Sequence, residues 1–334
     1  MNKLRLGIIG TGIIVNEAHL PALLRLTDRF EVTALCNRTR PKAEELAGKL
    51  GVADGGIWQD WEKFLAEAPV DALLLALPIE MNYPVSLAAA RAGKHVLCEK
   101  PVGQSVEEAR QAVTLAADHG ITFMVAEDCH FVPQFSRAAE LVRQGAVGKP
   151  TLISWNVFNY MSLSNKYAKT KWRTEHVYPG GYVLDGGVHF VHVLQMIAGP
   201  IASVRAESRD IDPRLGRVDT AFSLLSHESG VLSSLNMGWR TRVPQPMPLQ
   251  VFGKEASLTV SEKEILLTAN ESGEVEKMPF QQEDGYYLQL MEFHRAVSEN
   301  SPPSISTESA AHDVEVILAI LESAEKNTVV RLQS

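Results

Sequence analysis

Three groups of residues in this chain of 334 have types and spacing that could do chemistry. The first is Glu99-Lys100-Pro101, which follows two short apolar runs at 72–77 and 95–98. A lysine at the end of a buried strand, with a proline fixing the chain behind it, aims an ammonium beyond the strand, where open α/β sheets hold their ligands. A solvated strand end is the plainer reading of the same lysine. The second group lies in 180–192, where Asp185, His189 and His192 are spaced by four and three residues and so share one face of a helix. A carboxylate and an imidazole on one face suit proton transfer at an alcohol oxygen, because imidazole titrates near neutral pH. A capping aspartate with two core histidines gives the same pattern. A metal site is a third option, but the glutamate and third ligand of helical zinc sites are missing.

The third group is Gly10-Thr11-Gly12, directly after the apolar run 4–9 and before a helix at 18–26. A glycine turn in that position cradles a pyrophosphate at a helix N-terminus. Val15 stands where the fingerprint has its third glycine, and its bulk is expected to hold the helix slightly away from the strand. The second strand, 30–36, ends in Asn37-Arg38-Thr39-Arg40 rather than in an acid. An acid there would bind a ribose 2′-hydroxyl and repel a 2′-phosphate, whereas a guanidinium and a hydroxyl favour the phosphate. NADP(H) is therefore the expected cofactor, with NAD possible and simple solvation of the arginines as the alternative. The contacts expected are Gly10, Thr11, Gly12, Asn37, Arg38 and Thr39.

These groups need elements to position them. Through residue 126 the pattern alternates short apolar runs (4–9, 30–36, 71–77, 95–98, 121–126) with helical segments (18–26, 41–50, 61–67, 85–92, 105–119). Ser105 and Glu108 form a capping box, and Gly120 ends that helix. Strands buried on both faces and joined by helices make a doubly wound parallel sheet. After a helix at 133–144 the chain turns to alternating strands at 151–160, 204–208, 220–226, 230–237, 249–252, 257–260, 264–268 and 274–278, with helices at 286–299 and 309–326. The expected fold class is α/β: a Rossmann domain, 1–126, followed by an α+β domain, 127–334, with a large open, mainly antiparallel sheet. The open face needs a cover, and a second copy of the chain would supply one. The polar stretch 159–171 reads as a loop, either a lid or an ordinary solvated one.

Hydrophobic residues at 45%, charged residues at 22% and a formal net charge of −8 describe a soluble globular enzyme and argue against nucleic-acid or anionic-membrane partners. Three cysteines, Cys36, Cys98 and Cys129, without a C-x-x-C pair, suggest neither a disulfide framework nor a zinc ribbon. They are expected to be inert packing. No apolar run approaches the about 18 residues of a membrane span, and no signal-like core follows Met1, so the cytoplasm is the expected location.

The chain resembles the glucose–fructose oxidoreductase/inositol dehydrogenase/rhizopine catabolism (Gfo/Idh/MocA) family. The resemblance is carried in order by Gly10-Thr11-Gly12-Ile13-Ile14 with His19, Pro78 after its strand, Ala92-Gly93-Lys94-His95-Val96 running into Glu99-Lys100-Pro101, Gly145-x-Val147-Gly148-Lys149-Pro150, Trp172-Arg173, and Gly180-Gly181 with Asp185-x-Gly187-x-His189. It implies NAD(P)-dependent oxidation or reduction at a hydroxyl or keto carbon of a sugar, cyclitol or derivative, with Lys100, Asp185 and His189 as catalytic residues. It also implies cofactor contacts at Ile13, Ile14, Pro78, Asn82, Glu99 and Lys100. Substrate contacts fall on His130, Trp172, Arg173 and His192, and dimers or tetramers form through the second sheet. No metal is implied. The chain departs from the family pattern where His192 replaces a second aspartate and where Ile79 and Asn82 replace an asparagine and a histidine. Ala126-Glu127-Asp128-Cys129-His130-Phe131 replaces Ala-Glu-Asn-x-Arg-Phe. Alternatives to a dehydrogenase are a redox-neutral enzyme recycling tightly bound NAD(P), a non-catalytic dinucleotide sensor and a metal hydrolase.

Overall fold

A computed structural model of the chain describes residues 3–332. The chain divides into two compact units, Met1–Asp128 with Asp284–Ala311, and Cys129–Glu283 with His312–Ser334. The expected second domain, 127–334, thus gives up a segment: residues 284–311 count with the first unit.

The first unit holds six strands, β1 Leu4–Ile9, β2 Phe30–Cys36, β3 Ile57–Trp58, β4 Ala72–Leu75, β5 His95–Glu99 and β6 Phe123–Ala126. They pair in parallel in the order β3-β2-β1-β4-β5-β6. Ala72–Leu75 and Phe123–Ala126 are buried along their whole length, as a sheet covered on both faces requires. The helices between them are α1 Leu20–Arg25, α2 Arg40–Leu50, α3 Trp61–Glu67, α4 Ile79–Arg91, α5 Val106–Val113 and α6 Leu115–His119. The strand order reverses between β1 and β4, so the crevice that takes ligands in such sheets opens where Gly10 and Pro78 leave the sheet.

Two helices depart from the sequence expectation. α4 begins at Ile79 rather than 85, running through Pro84, because Ile79 and Asn82 are buried on the same side as Val85, Ser86 and Ala89 and tertiary packing outweighs the missing N–H. The segment expected as one helix, 105–119, is two, broken at Thr114, while Ser105 caps it through Glu108 N–H as anticipated.

The second unit carries β7 Pro150–Phe158, β8 Ile201–Arg209, β9 Thr220–His227, β10 Leu232–Gly238, β11 Leu249–Gly253, β12 Ala256–Val260, β13 Glu264–Ala269, β14 Val275–Pro279 and β15 Val330–Arg331. Their order is β14-β13-β12-β11-β7-β10-β9-β8-β15, and every neighbouring pair is antiparallel except β7 with β10. Helix α7 Pro133–Arg143 precedes β7 in the chain, α8 Lys171–Thr174 and α9 Gly181–Ala198 lie between β7 and β8, and α7 and α9 pack on the sheet. Ile153, Trp155, Leu225, Leu235 and Met237 point inward and are buried. On the opposite face Leu152, Phe222, Leu224 and Leu232 stand 49–64% exposed. Last come α10 Gly285–Glu299 and α11 Thr307–Lys326. α10 packs on α1 and β6, with the Arg25 guanidinium 3.7 Å above the Tyr287 ring.

Candidate active site

The glycine turn is built for close approach by a ligand. Gly10 has φ +93°, and a side chain on it would run into the Ala76 carbonyl of the neighbouring strand end, so only glycine fits. A Cβ on Gly12 would meet nothing within 4 Å, leaving its backbone open. Asn16, a residue the sequence reading passed over, holds the turn: its Nδ2 donates to the carbonyls of Thr11 (3.2 Å) and Gly12 (3.0 Å). Ile13 and Ile14 start the following helix, which widens over Val15–His19 into a π-turn with Leu20 N–H donating to the Val15 carbonyl. Val15 is fully buried, so the space the missing glycine would have left is regained by a wider turn.

At the end of β2, Asn37 Nδ2 donates to the buried Thr11 Oγ1 at 2.5 Å and its Oδ1 accepts from Thr39 N–H at 3.1 Å. Asn37 therefore braces the turn. Arg38 is exposed and, among the described residues, has no carboxylate partner, whereas Arg40 pairs with Glu44 and Asp54. Thr39 is the N-cap of α2 but its hydroxyl caps no N–H. Open glycine backbone, an unpaired guanidinium and an uncommitted hydroxyl fit a phosphate-bearing dinucleotide.

Glu99-Lys100-Pro101 is held from two sides. Asn82 is fully buried on α4, and its Nδ2 donates to the carbonyls of Glu99 (3.0 Å) and Pro101 (2.8 Å), bracketing Lys100. Its Oδ1 is buried without a protein partner. Glu99, 5% exposed, takes the Nε2 of fully buried His19 on Oε1 at 2.7 Å. Glu99 and Asn82, expected as cofactor contacts, thus spend these groups on orienting the backbone around Lys100. Lys100 is half-buried. Pro78 is the N-cap of α4. Cys98, beside the tripeptide, has its thiol pushed up to about 12 by burial, and Cys36 likewise, consistent with packing roles.

In the second unit, α9 starts from two glycines with positive φ, Gly180 at +81° and Gly181 at +49°, the latter pressed against the Arg217 carbonyl. That fixes where Asp185 and His189 stand on the helix. Asp185 accepts from Arg173 Nε at 2.7 Å, both side chains mostly buried, and the Arg173 guanidinium stacks 3.9 Å over the Trp172 ring. Three predicted residues, Asp185, Trp172 and Arg173, therefore meet. Arg173 neutralises the aspartate and fixes its rotamer. His189 is half-buried on the same helix.

His192 lies on the same helix. It is 2% exposed, and both ring nitrogens are engaged: Nδ1 with Asp313 Oδ2 at 2.8 Å, Nε2 with His130 Nδ1 at 2.9 Å. A histidine so enclosed is held in one ring orientation by its neighbours. Asp313, 118 residues from Gln195 in sequence, accepts on its other oxygen from Gln195 Nε2 at 2.8 Å.

Comparison with known proteins places this geometry. Residues 4–127 match the model of an oxidoreductase family with an NAD-binding Rossmann fold, and residues 135–259 match the Gfo/Idh/MocA C-terminal domain. The chain belongs to the Gfo/Idh/MocA family. An oxidoreductase from Thermotoga maritima is 34% identical, with a TM-score of 0.91 over 99% of this chain and 98% of that one. A D-xylose 1-dehydrogenase (NADP(+)) from Haloferax volcanii is 29% identical over 98% of this chain and 99% of its own. A myo-inositol 2-dehydrogenase from Thermotoga maritima is 24% identical over 99% of both. The chain is accordingly an oxidoreductase with an NAD-binding Rossmann domain, and the fold is the one its sequence resemblance implied. No helix among the described residues is long and apolar enough to cross a membrane.

Proposed function

We propose that the protein is an NADP(H)-preferring dehydrogenase or reductase that acts on a hydroxyl or keto carbon of a sugar, cyclitol or related polyol. The observation that carries this reading is the bracket around Lys100. Two buried hydrogen bonds from Asn82 and the His19–Glu99 pair hold the lysine's backbone on both sides. A solvated strand end needs no such support.

The nicotinamide, when bound, supplies the hydride acceptor or donor. Gly10, Thr11, Gly12, Ile13 and Ile14 receive the pyrophosphate, with Asn16 and Asn37 keeping that turn in shape. Arg38 and Thr39 receive the 2′-phosphate. Among the described residues Arg38 has no carboxylate partner, and the xylose dehydrogenase relative is named for NADP. Loss of the hydroxyl proton as hydride leaves the carbinol carbon, or hydride addition to the keto carbon in the reverse direction, builds negative charge on that oxygen. Lys100, cationic and partly desolvated, stabilises that charge. His189 takes the hydroxyl proton in oxidation and returns it in reduction. Asp185, held by Arg173, accepts from a neighbouring hydroxyl, while Trp172 and His130 contact the polyol.

The test is a binding comparison of NADPH and NADH, repeated with Arg38→Asp, followed by a panel including D-xylose, myo-inositol and 1,5-anhydro-D-fructose on the preferred cofactor. NADPH should bind at least about 10-fold tighter than NADH, and Arg38→Asp should abolish the difference. Equal binding of both by the unaltered protein overturns the cofactor assignment. Turnover of no polyol with either cofactor overturns the reaction class.

A further inference from the structure

We propose that His176 is a positioning residue for the substrate side of the site: its neutral imidazole ties the turn at 216–217 to the segment that carries Trp172 and Arg173, and so holds the Arg173–Asp185 pair in place. The proposal rests on the polyol reading of Asp185 above.

Both ring nitrogens have partners whose roles are fixed by backbone chemistry. The Arg217 N–H donates to Nε2 at 3.0 Å, and a backbone amide can only donate, so Nε2 carries no proton. Nδ1 lies 2.6 Å from the Tyr178 carbonyl, which can only accept, so Nδ1 carries the proton. The two bonds differ in reach. Tyr178 is 2 residues along the chain and Arg217 is 41 away, so the first shapes a local turn and the second joins two segments.

The seat of the ring is kept clear by glycines on two segments. A Cβ on Gly216, which has φ +99°, would stand 2.8 Å from His176 Cδ2 and 2.9 Å from the Arg173 carbonyl oxygen. One on Gly181 would stand 3.0 Å from His176 Nε2. Gly181 begins α9, one turn before Asp185. A single half-buried imidazole therefore touches the turn at 216–217, the segment after α8 and the start of the helix that carries Asp185.

Stacked rings extend the contact to the carboxylate. The His176 ring is 4.7 Å from that of Tyr178, which is 2% exposed, and Tyr178 is 6.1 Å from Trp172. Trp172 carries the Arg173 guanidinium at 3.9 Å, and Arg173 Nε donates to Asp185 at 2.7 Å. Without the imidazole, the Arg217 bond and the first ring of this stack are lost together. Asp185 then loses its fixed partner, and with it the geometry in which it accepts from a substrate hydroxyl. Polyol binding suffers, whereas hydride transfer, which relies on Lys100 and His189, does not.

The test begins without substrate, on the full-length protein labelled with 15N-histidine and 15N-arginine. Long-range 1H–15N correlation, with His176 assigned from the His176→Gln spectrum, should show Nδ1 protonated and Nε2 bare above the imidazole range. Exchange of the Arg173 Nε–H with solvent, assigned from Arg173→Lys, should be about 10-fold faster in His176→Ala than in the unaltered protein. A ring protonated on Nε2, or an unchanged exchange rate, overturns the clamp whatever the enzyme acts on.

Steady-state kinetics then read the consequence. His176→Ala should raise the KM for the polyol about 10-fold, with kcat and NADPH affinity within a few-fold. His176→Gln, whose Oε1 keeps an acceptor for the Arg217 N–H, should return KM to within about 3-fold of the unaltered value, and His176→Asn, which keeps only a donor for Tyr178, should not. A lower Tm with unchanged KM in His176→Ala overturns the proposal. Should that variant not fold, the spectrum of the unaltered protein and the comparison of Gln with Asn still decide it. Loss of turnover in Lys100→Met tests the dehydrogenase reading separately, because it leaves the His176 and Arg173 signals in place.

Discussion

Lys100 is half-buried and held by its neighbours' backbone, so its replacement should remove charge stabilisation without disturbing the fold. Lys100→Met is expected to lower kcat by about 100-fold or more, with NADPH affinity within a few-fold, in steady-state and binding assays. Asn82→Ala acts one step earlier. It leaves the carbonyls of Glu99 and Pro101 without their buried donor, which should cost about 1–3 kcal/mol in chemical denaturation and lower turnover as Lys100 loses its fixed place. Thiol chemistry offers a check that needs no substrate. With Cys36 and Cys98 raised to about 12 by burial, neither is thiolate at pH 8, so mass spectrometry after native alkylation should find only half-exposed Cys129 modified.

At the level of elements, the glycine turn makes the sharpest prediction. Gly10→Ala must hold alanine at φ +93° against the Ala76 carbonyl, which costs at least about 1–2 kcal/mol from the backbone conformation alone. A lower Tm together with weakened dinucleotide binding is the expected result, and a normal Tm would show that the turn can relax. Elements with strong periodicity were legible in the sequence: five of the first sheet's six strands, and eight of the second sheet's nine, lie where the apolar pattern put them. The missing strands, Ile57–Trp58 and Val330–Arg331, are two residues long and carry no period to read. Pro84 hid the first turn of α4, because local rules mark proline as a breaker while the burial of Ile79 and Asn82 is a tertiary fact. The same limit applied to the site. Asp185 was legible from its helical spacing and Trp172 and Arg173 only through the family resemblance, while the contact that joins them comes from the fold. Asp313 was invisible as a partner of His192, being 121 residues away with no motif of its own. The parallel pairing of β7 with β10 is long-range in the same way.

For the molecule as a whole, the apolar face of the second sheet calls for a cover. Leu152, Phe222, Leu224 and Leu232 lie on three adjacent strands, and cross-strand Ser154–Ser234 and Asn156–Asn236 hydrogen bonds sit between them. A monomer seldom leaves such a patch to water. We expect a homodimer or homotetramer formed through this face. Light scattering should show Leu224→Glu shifted to a smaller species, and an unaltered mass would remove the face from consideration. The division of the chain carries a different consequence. The first unit is closed by residues 284–311, whose helix α10 packs on α1 and β6, so the larger piece of the second unit, Cys129–Glu283, is inserted within it. A ribosome has made all eight strands β7–β14 before the last piece of the dinucleotide-binding unit emerges. Residues 1–128 alone should therefore stay incompletely folded, and should gain protection from proteolysis only when 284–311 are supplied in trans or spliced on directly.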